Sequence, residues 1–149
     1  MQAIVFCGVQ GSGKTTFYRE RFADTHLRLS LDMLRTRNRE RILVTACVEA
    51  QQRFVVDNTN PTAAERRRYI EPAAAARFEV VGYYFRSSAA DALATNERRP
   101  ERERIPAKGL LETLKRLELP RLDEGFRELF YVRMDGDGSF VVEPWADAV

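Results

Sequence analysis

Short apolar runs alternate with amphipathic stretches along this chain, and the alternation predicts strands and helices in turn. Ala3-Ile4-Val5-Phe6-Cys7 is continuously apolar, the pattern of a strand covered on both faces. A glycine-punctuated loop, Gly8 to Gly13, follows, and Lys14 to Ala23 reads as a helix opening from it. Leu27 to Leu31 predicts a second short strand. Arg37 to Gln52 has helical spacing, with Ile42, Leu43, Ala46 and Ala50 on one face as candidate core. Phe54-Val55-Val56 predicts a third strand, closed by Asp57-Asn58-Thr59-Asn60-Pro61. Thr62 is placed to cap the next helix, with Glu65 as its capping-box partner, and Pro72 should kink or end that helix. Phe78 to Phe85 predicts a fourth strand. Ser87 or Ser88 caps a helix running to about Thr95, Asn96 to Ile105 is a polar loop, and Pro106 starts a helix ending near Leu117. Leu129 to Met134 and Phe140 to Val142 flank Asp135-Gly136-Asp137-Gly138, a hairpin turn. Repeated strand–helix–strand units predict an α/β domain with a central parallel sheet, right-handed crossovers and helices on both faces. No internal repeat or flexible linker interrupts the pattern, so residues 1–149 read as one domain.

Composition narrows the class. A chain of 149 residues buries about 68–70% of its unfolded surface, enough to fold without a disulfide or structural metal. Lys+Arg 24 against Asp+Glu 22 leaves a net charge of +2, which excludes a polycationic tail but not a local basic groove. Only Lys14, Lys108 and Lys115 are lysines; the remaining basic residues are arginines, suited to bidentate contact with phosphate or carboxylate. Two cysteines and one histidine exclude a Cys/His structural zinc site, and Cys7 and Cys47 read as reduced core residues. No stretch approaches the roughly 20 apolar residues of a membrane span, and the chain enters its first strand without a leader pattern. The expectation is a soluble, cytoplasmic protein.

Gly8-Val9-Gln10-Gly11-Ser12-Gly13-Lys14-Thr15 fits G-x-x-x-x-G-K-[ST] at every fixed position, between a buried strand and a helix. In that context Gly8, Gln10, Gly11, Ser12, Gly13, Lys14, Thr15 and Thr16 are candidate nucleotide-binding residues. Glycines let successive N–H groups turn inward around phosphate oxygens, and the helix start adds the positive end of its dipole. Lys14 should reach the β- and γ-phosphates, and the Thr15 hydroxyl should ligate Mg²⁺. The motif points to a nucleoside triphosphate and says nothing of an acceptor.

Two acids end predicted strands, where ligands of open α/β sheets collect. Asp32 follows Leu29-Ser30-Leu31, and Asp57 follows Phe54-Val55-Val56. Asp32 reads as a general base toward an acceptor hydroxyl, or as a helix N-cap. Asp57 reads as part of the Mg²⁺ shell beside Thr15, or as an Asx turn leading into Asn60-Pro61. The loop Asn96–Pro106 carries Arg98, Arg99, Arg102 and Arg104. It reads as a lid closing on phosphate, or, on charge pattern alone, as a solvated loop whose acids and arginines pair. Arg35 stands one helical turn from Asp32, whereas Arg66-Arg67-Arg68 reads as an exposed helix face.

Together these segments resemble the polynucleotide 5′-kinase family, the kinase module of nucleic-acid end-healing and repair enzymes. The resemblance rests on Gly8–Thr16, Ser30-Leu31-Asp32, Val55-Val56-Asp57-Asn58-Thr59-Asn60-Pro61, Asn96-Glu97-Arg98-Arg99, Ile105-Pro106 and the run Leu119–Phe126 with its Glu124-Gly125-Phe126. It implies a P-loop kinase-type three-layer sandwich with an arginine-rich lid at about 96–105. It also implies transfer of the ATP γ-phosphate to the 5′-hydroxyl of a DNA or RNA end, with Mg²⁺. Asp32 would be the base. Lys14 and Arg99, with Arg98 beside it, would attend the donor phosphates. Thr15 and Asp57 would serve the metal, and Arg35, Asp32 and Asn60 the acceptor. The chain has no room for the phosphatase or ligase module such kinases often carry, so a free-standing kinase is expected. The same parts would serve a kinase acting on a nucleoside, sugar or antibiotic hydroxyl. A non-catalytic nucleotide-binding module is the third alternative.

Overall fold

The computed structural model describes residues 1–146. Its elements, in chain order, are β1 (Gln2–Cys7), α1 (Lys14–Arg21), β2 (Leu27–Leu29), α2 (Leu31–Leu34), α3 (Arg37–Ala50), β3 (Phe54–Val56), α4 (Ala63–Ala75), β4 (Glu79–Phe85), α5 (Ala89–Arg98), α6 (Ala107–Arg116), β5 (Glu128–Met134) and β6 (Phe140–Pro144). The six strands form one sheet in the order β2-β3-β1-β4-β5-β6. The first five in that order are parallel, and β6 returns antiparallel through the Asp135–Gly138 turn. This is the α/β three-layer architecture the strand–helix alternation predicts.

Alternation along β1 divides the core. Ala3 and Val5 face a cluster with Val44, Cys47, Tyr69, Ile70 and Ala73 from α3 and α4. Ile4 and Phe6 face the opposite cluster, with Phe17 of α1 and Phe85. Removing a fully buried ring such as Phe17 costs about 3–5 kcal/mol in lost burial and cavity formation. The path leaves β1 toward β3 and β2 on one side and later toward β4 on the other. That reversal opens a crevice beyond the carboxyl end of β1.

Several local expectations are corrected. The buried residues of α3 are Glu40, Val44 and Cys47, while Ile42 is 51% exposed and Leu43, Ala46 and Ala50 also face solvent. A buried glutamate hid the true face. Glu40 is accommodated because Tyr69 Oη (2.8 Å), Arg37 Nη1 (3.0 Å) and Asn58 Nδ2 (2.8 Å) all donate to its carboxylate. The strand predicted to Leu31 stops at Leu29, and Ser30 caps α2 instead. Helix α4 has the Thr62/Glu65 capping box but runs on past Pro72 to Ala75. One missing N–H costs a single bond, and Ala73 is fully buried in the core just beyond it.

Arg66 is no exposed face residue: it is 0% exposed. Its guanidinium donates to both carboxylate oxygens of Glu124 (2.8 and 3.1 Å), to the Asn60 carbonyl (2.9 Å) and to Cys7 Sγ (3.6 Å). The Glu124-Gly125-Phe126 run is thereby explained as structure. Glu124 closes the buried pair, Phe126 enters the core, and Gly125 takes φ +116 where a Cβ would lie 2.7 Å from Ile70.

Candidate nucleotide and acceptor cleft

The loop between β1 and α1 wraps the crevice as the motif demands. Gly13 is the N-cap of α1 at φ +96, and Gly11 has φ +80. A Cβ on Gly11 would meet Thr95 of α5 at 3.3 Å, so the missing side chain lets the lid helix sit directly on the loop. Lys14 is buried, and its Nζ donates to the Gly8 and Val9 carbonyls at 2.9 and 2.8 Å. Burial pulls its pKa down to about 8, against the attraction of Asp57.

A cavity of about 910 Å³ opens above this loop. Loop residues Gln10 to Thr16, the acids Asp32 and Asp57, and the lid arginines Arg98 and Arg99 all line it. The structure therefore gathers most of the residues singled out from sequence into one cleft. The electrostatic influence of both Asp32 and Arg99 reaches Lys14.

Each acid is held differently. Asp32 is exposed in the first turn of α2, and the capping task falls to Ser30, whose hydroxyl accepts from the Asp32 N–H at 3.3 Å. Its carboxylate is left for the cleft. Asn58 tethers this segment: its Oδ1 accepts from the Leu31 N–H at 2.9 Å while its Nδ2 donates to Glu40. Asp57 is buried, and its Oδ2 accepts from Thr15 Oγ1 (2.9 Å) and Arg28 Nε (2.8 Å) rather than forming an Asx turn.

In the lid, Asn96, Glu97 and Arg98 belong to the last turn of α5, and a short 3₁₀ turn spans Glu101–Glu103, so the segment is less irregular than a polar loop. Asn96 pins it, accepting from the Ile105 N–H (2.8 Å) and donating to the Ile105 carbonyl (2.6 Å). Arg104 donates to the carbonyls of Arg99 and Glu97. Among the described residues no ion pair joins the acids of this segment to its arginines.

Three expected positions stand apart. Gly8 lies beneath the loop and outside the cavity lining, bonded through its N–H to the Thr59 carbonyl at 3.0 Å. Asn60 is buried at φ +44, with Nδ2 committed to the Phe6 carbonyl at 2.8 Å, so it braces the strand ends instead of facing an acceptor. Arg35 ends α2 at φ +73, exposed and outside the lining.

Sequence reasoning passed over Arg86, Arg133 and Arg28. Arg86 directly follows β4 and Arg133 is the penultimate residue of β5, and both line the cavity. The strand-end rule that found the two acids applies equally to them. Arg28 lies inside β2 and carries no such signal.

No family model matches the chain. Solved structures do. Kti12 from Chaetomium thermophilum, in complex with ADP-AlF3, superposes with a TM-score of 0.68 at 20% identity, covering 89% of this chain and 89% of that one. A sugar kinase from a Janibacter species gives 0.68 at 20% identity, over 88% and 85%. The chain shares its α/β fold with both proteins. A gluconokinase from Sinorhizobium meliloti agrees, with a TM-score of 0.60 at 19% identity over 87% and 82%.

The loop motif implies a divalent cation beside the phosphates, and the residues present fit one. Thr15 Oγ1 and Asp57 Oδ2 are hard oxygen donors 2.9 Å apart beside the loop. Among the described residues no group of three His, Cys, Asp or Glu forms a protein-only cage. Such a sparse donor set suits Mg²⁺, which takes one or two protein oxygens and completes its shell with phosphate and water. Among the described residues no helix is long and apolar enough to cross a membrane.

Proposed function

We propose that this protein is an ATP- and Mg²⁺-dependent phosphotransferase that moves the γ-phosphate to a hydroxyl, with the 5′-hydroxyl of a polynucleotide as acceptor. The observation that carries this reading is the shared cleft of Lys14, Asp32 and Arg99. The loop N–H groups and Lys14 would hold the β- and γ-phosphates. Asp32 would accept the acceptor's proton as its oxygen attacks the γ-phosphorus, the bond to the β–γ bridging oxygen breaks and ADP leaves. Arg99, with Arg98 beside it, would stabilise charge spreading over the equatorial oxygens. Thr15 and Asp57 would hold the cation, which neutralises charge on the phosphates. An exposed Asp32 leaves the acceptor side accessible to a strand end, as the sequence resemblance expects.

One observation favours a second reading. Arg35, expected to hold an acceptor-strand phosphate, does not line the cavity, and a small hydroxyl compound needs no such contact. Transfer of labelled γ-phosphate decides, with 5′-hydroxyl DNA and RNA oligonucleotides run beside nucleosides and sugars that carry no phosphate. Labelled oligonucleotide, lost in the Asp32→Ala variant, is the expected result. Product only with small acceptors overturns the polynucleotide reading, and ATP binding without any product leaves a nucleotide-binding module.

A further inference from the structure

The metal pair of the cleft already has a cation beside it. Arg28 projects from β2, and among the described residues both hydrogen bonds of its guanidinium end on the two residues that would hold Mg²⁺. Nε donates to Asp57 Oδ2 at 2.8 Å, and Nη2 donates to Thr15 Oγ1 at 3.3 Å. The Thr15 hydroxyl spends its proton on Asp57, so Arg28 takes oxygen lone pairs that a metal would use on both residues. The pair is well enclosed, with the Arg28 side chain 21% and the Asp57 side chain 2% exposed. Lys14 stands nearby as a second positive charge acting on the same carboxylate. A divalent ion entering this corner without phosphate would meet a carboxylate already neutralised and two cations around it.

We propose that Arg28 is the resident counter-ion of Asp57, which a divalent cation must displace, so that metal enters this corner efficiently only with the negative charge of a nucleotide. The inference rests on the phosphotransferase reading for the presence of a metal, and it assigns Arg28 the task of coupling metal entry to nucleotide. Lone-pair competition explains why a guanidinium is suited to the post: it is planar, permanently charged and bonds two oxygens at once.

The probe is Mn²⁺, measured by electron paramagnetic resonance on the whole chain, with and without a non-hydrolysable ATP analogue. Without nucleotide, Arg28→Gln should bind Mn²⁺ about tenfold or more tightly than the unaltered protein, because one close positive charge is gone. Arg28→Lys keeps the charge and should stay near the unaltered affinity. Adding Asp57→Asn to Arg28→Gln should erase the gain. Equal Mn²⁺ affinity in the Arg28→Gln and unaltered proteins overturns the proposal, as does an equal gain in Arg28→Lys. Should Arg28→Gln fail to fold, the arginine Nε–H nuclear magnetic resonance signal of the unaltered protein decides. It should move when Mg²⁺ is added to the protein–analogue complex and stay still with the analogue alone; an unmoved signal on Mg²⁺ addition overturns the proposal. The Mn²⁺ measurement without nucleotide needs neither analogue binding nor transfer, so failure of the phosphotransferase reading is seen separately.

Discussion

The two ends of the cleft are built on different plans. At the proposed donor end the framework is backbone: a loop bent by Gly11 and Gly13, a helix start, and a lysine buried against two carbonyls of its own loop. At the proposed acceptor end the Asp32 carboxylate is exposed on the short helix α2, tethered by the side chain of Asn58 just beyond β3, which also bonds Glu40 of α3. The phosphate loop is a local construction of consecutive residues, Gly8 to Thr16. The proposed acceptor end depends on a contact between segments, because Asn58 reaches back from beyond β3 to both α2 and α3. Nucleotide binding and phosphate transfer should therefore be separable by substitution.

The largest expected separation comes from Asp32→Ala. Loss of a general base should lower the transfer rate by about 10²–10⁴ while leaving ATP affinity within a factor of two or so. A comparable loss in a nucleotide titration would place Asp32 at the donor end and dissolve the distinction. Glu124→Ala supplies the contrast from outside both ends. It strands the fully buried Arg66, and should cost about 3–5 kcal/mol in chemical denaturation. ATP affinity of the folded fraction should not change; if it does, the buried pair is coupled to the cleft.

Asn58→Ala removes the tether of α2. The Leu31 N–H and Glu40 both lose a partner, so transfer should fall by about tenfold, the kinetic equivalent of roughly 1–2 kcal/mol. The loss should lie in transfer rate and acceptor KM, not in ATP affinity. The most gradual effect is on pH. In the free protein Lys14 releases its proton near pH 8, below its ordinary 10.5. A bound triphosphate keeps it protonated, so above pH 8 binding takes up a proton and affinity falls by up to about tenfold per pH unit. Below pH 8 the lysine is charged in both states and its contribution is flat. Calorimetric titration from pH 7 to 9.5 checks this, and a level affinity would contradict the buried lysine.

Much of the molecule was readable before its coordinates. The strand–helix alternation led to the α/β layers, and the loop motif led to the cleft, because both are governed by local spacing. Asp32, Asp57, Arg98 and Arg99 reach that cleft as expected. The misreadings share one cause. Ile42 and Leu43 looked like core and Arg66 like surface, because hydrophobicity alone ignores a polar group, such as Arg66 or Glu40, whose bonds are all met inside. Asn60 looked like an acceptor contact, yet its amide is spent on Phe6.

By itself, then, the sequence determined the order of elements and the phosphate loop, features written in consecutive residues where hydrogen bonding and chain geometry act over a few positions. Only the tertiary structure decided which polar groups face one another. The meeting of Arg28 with Asp57, of Asn58 with Glu40, and of Arg66 with Glu124 depends on how the sheet orders its strands. A charged residue is buried or exposed according to the partners that packing brings within about 3 Å, and no spacing along the chain records them.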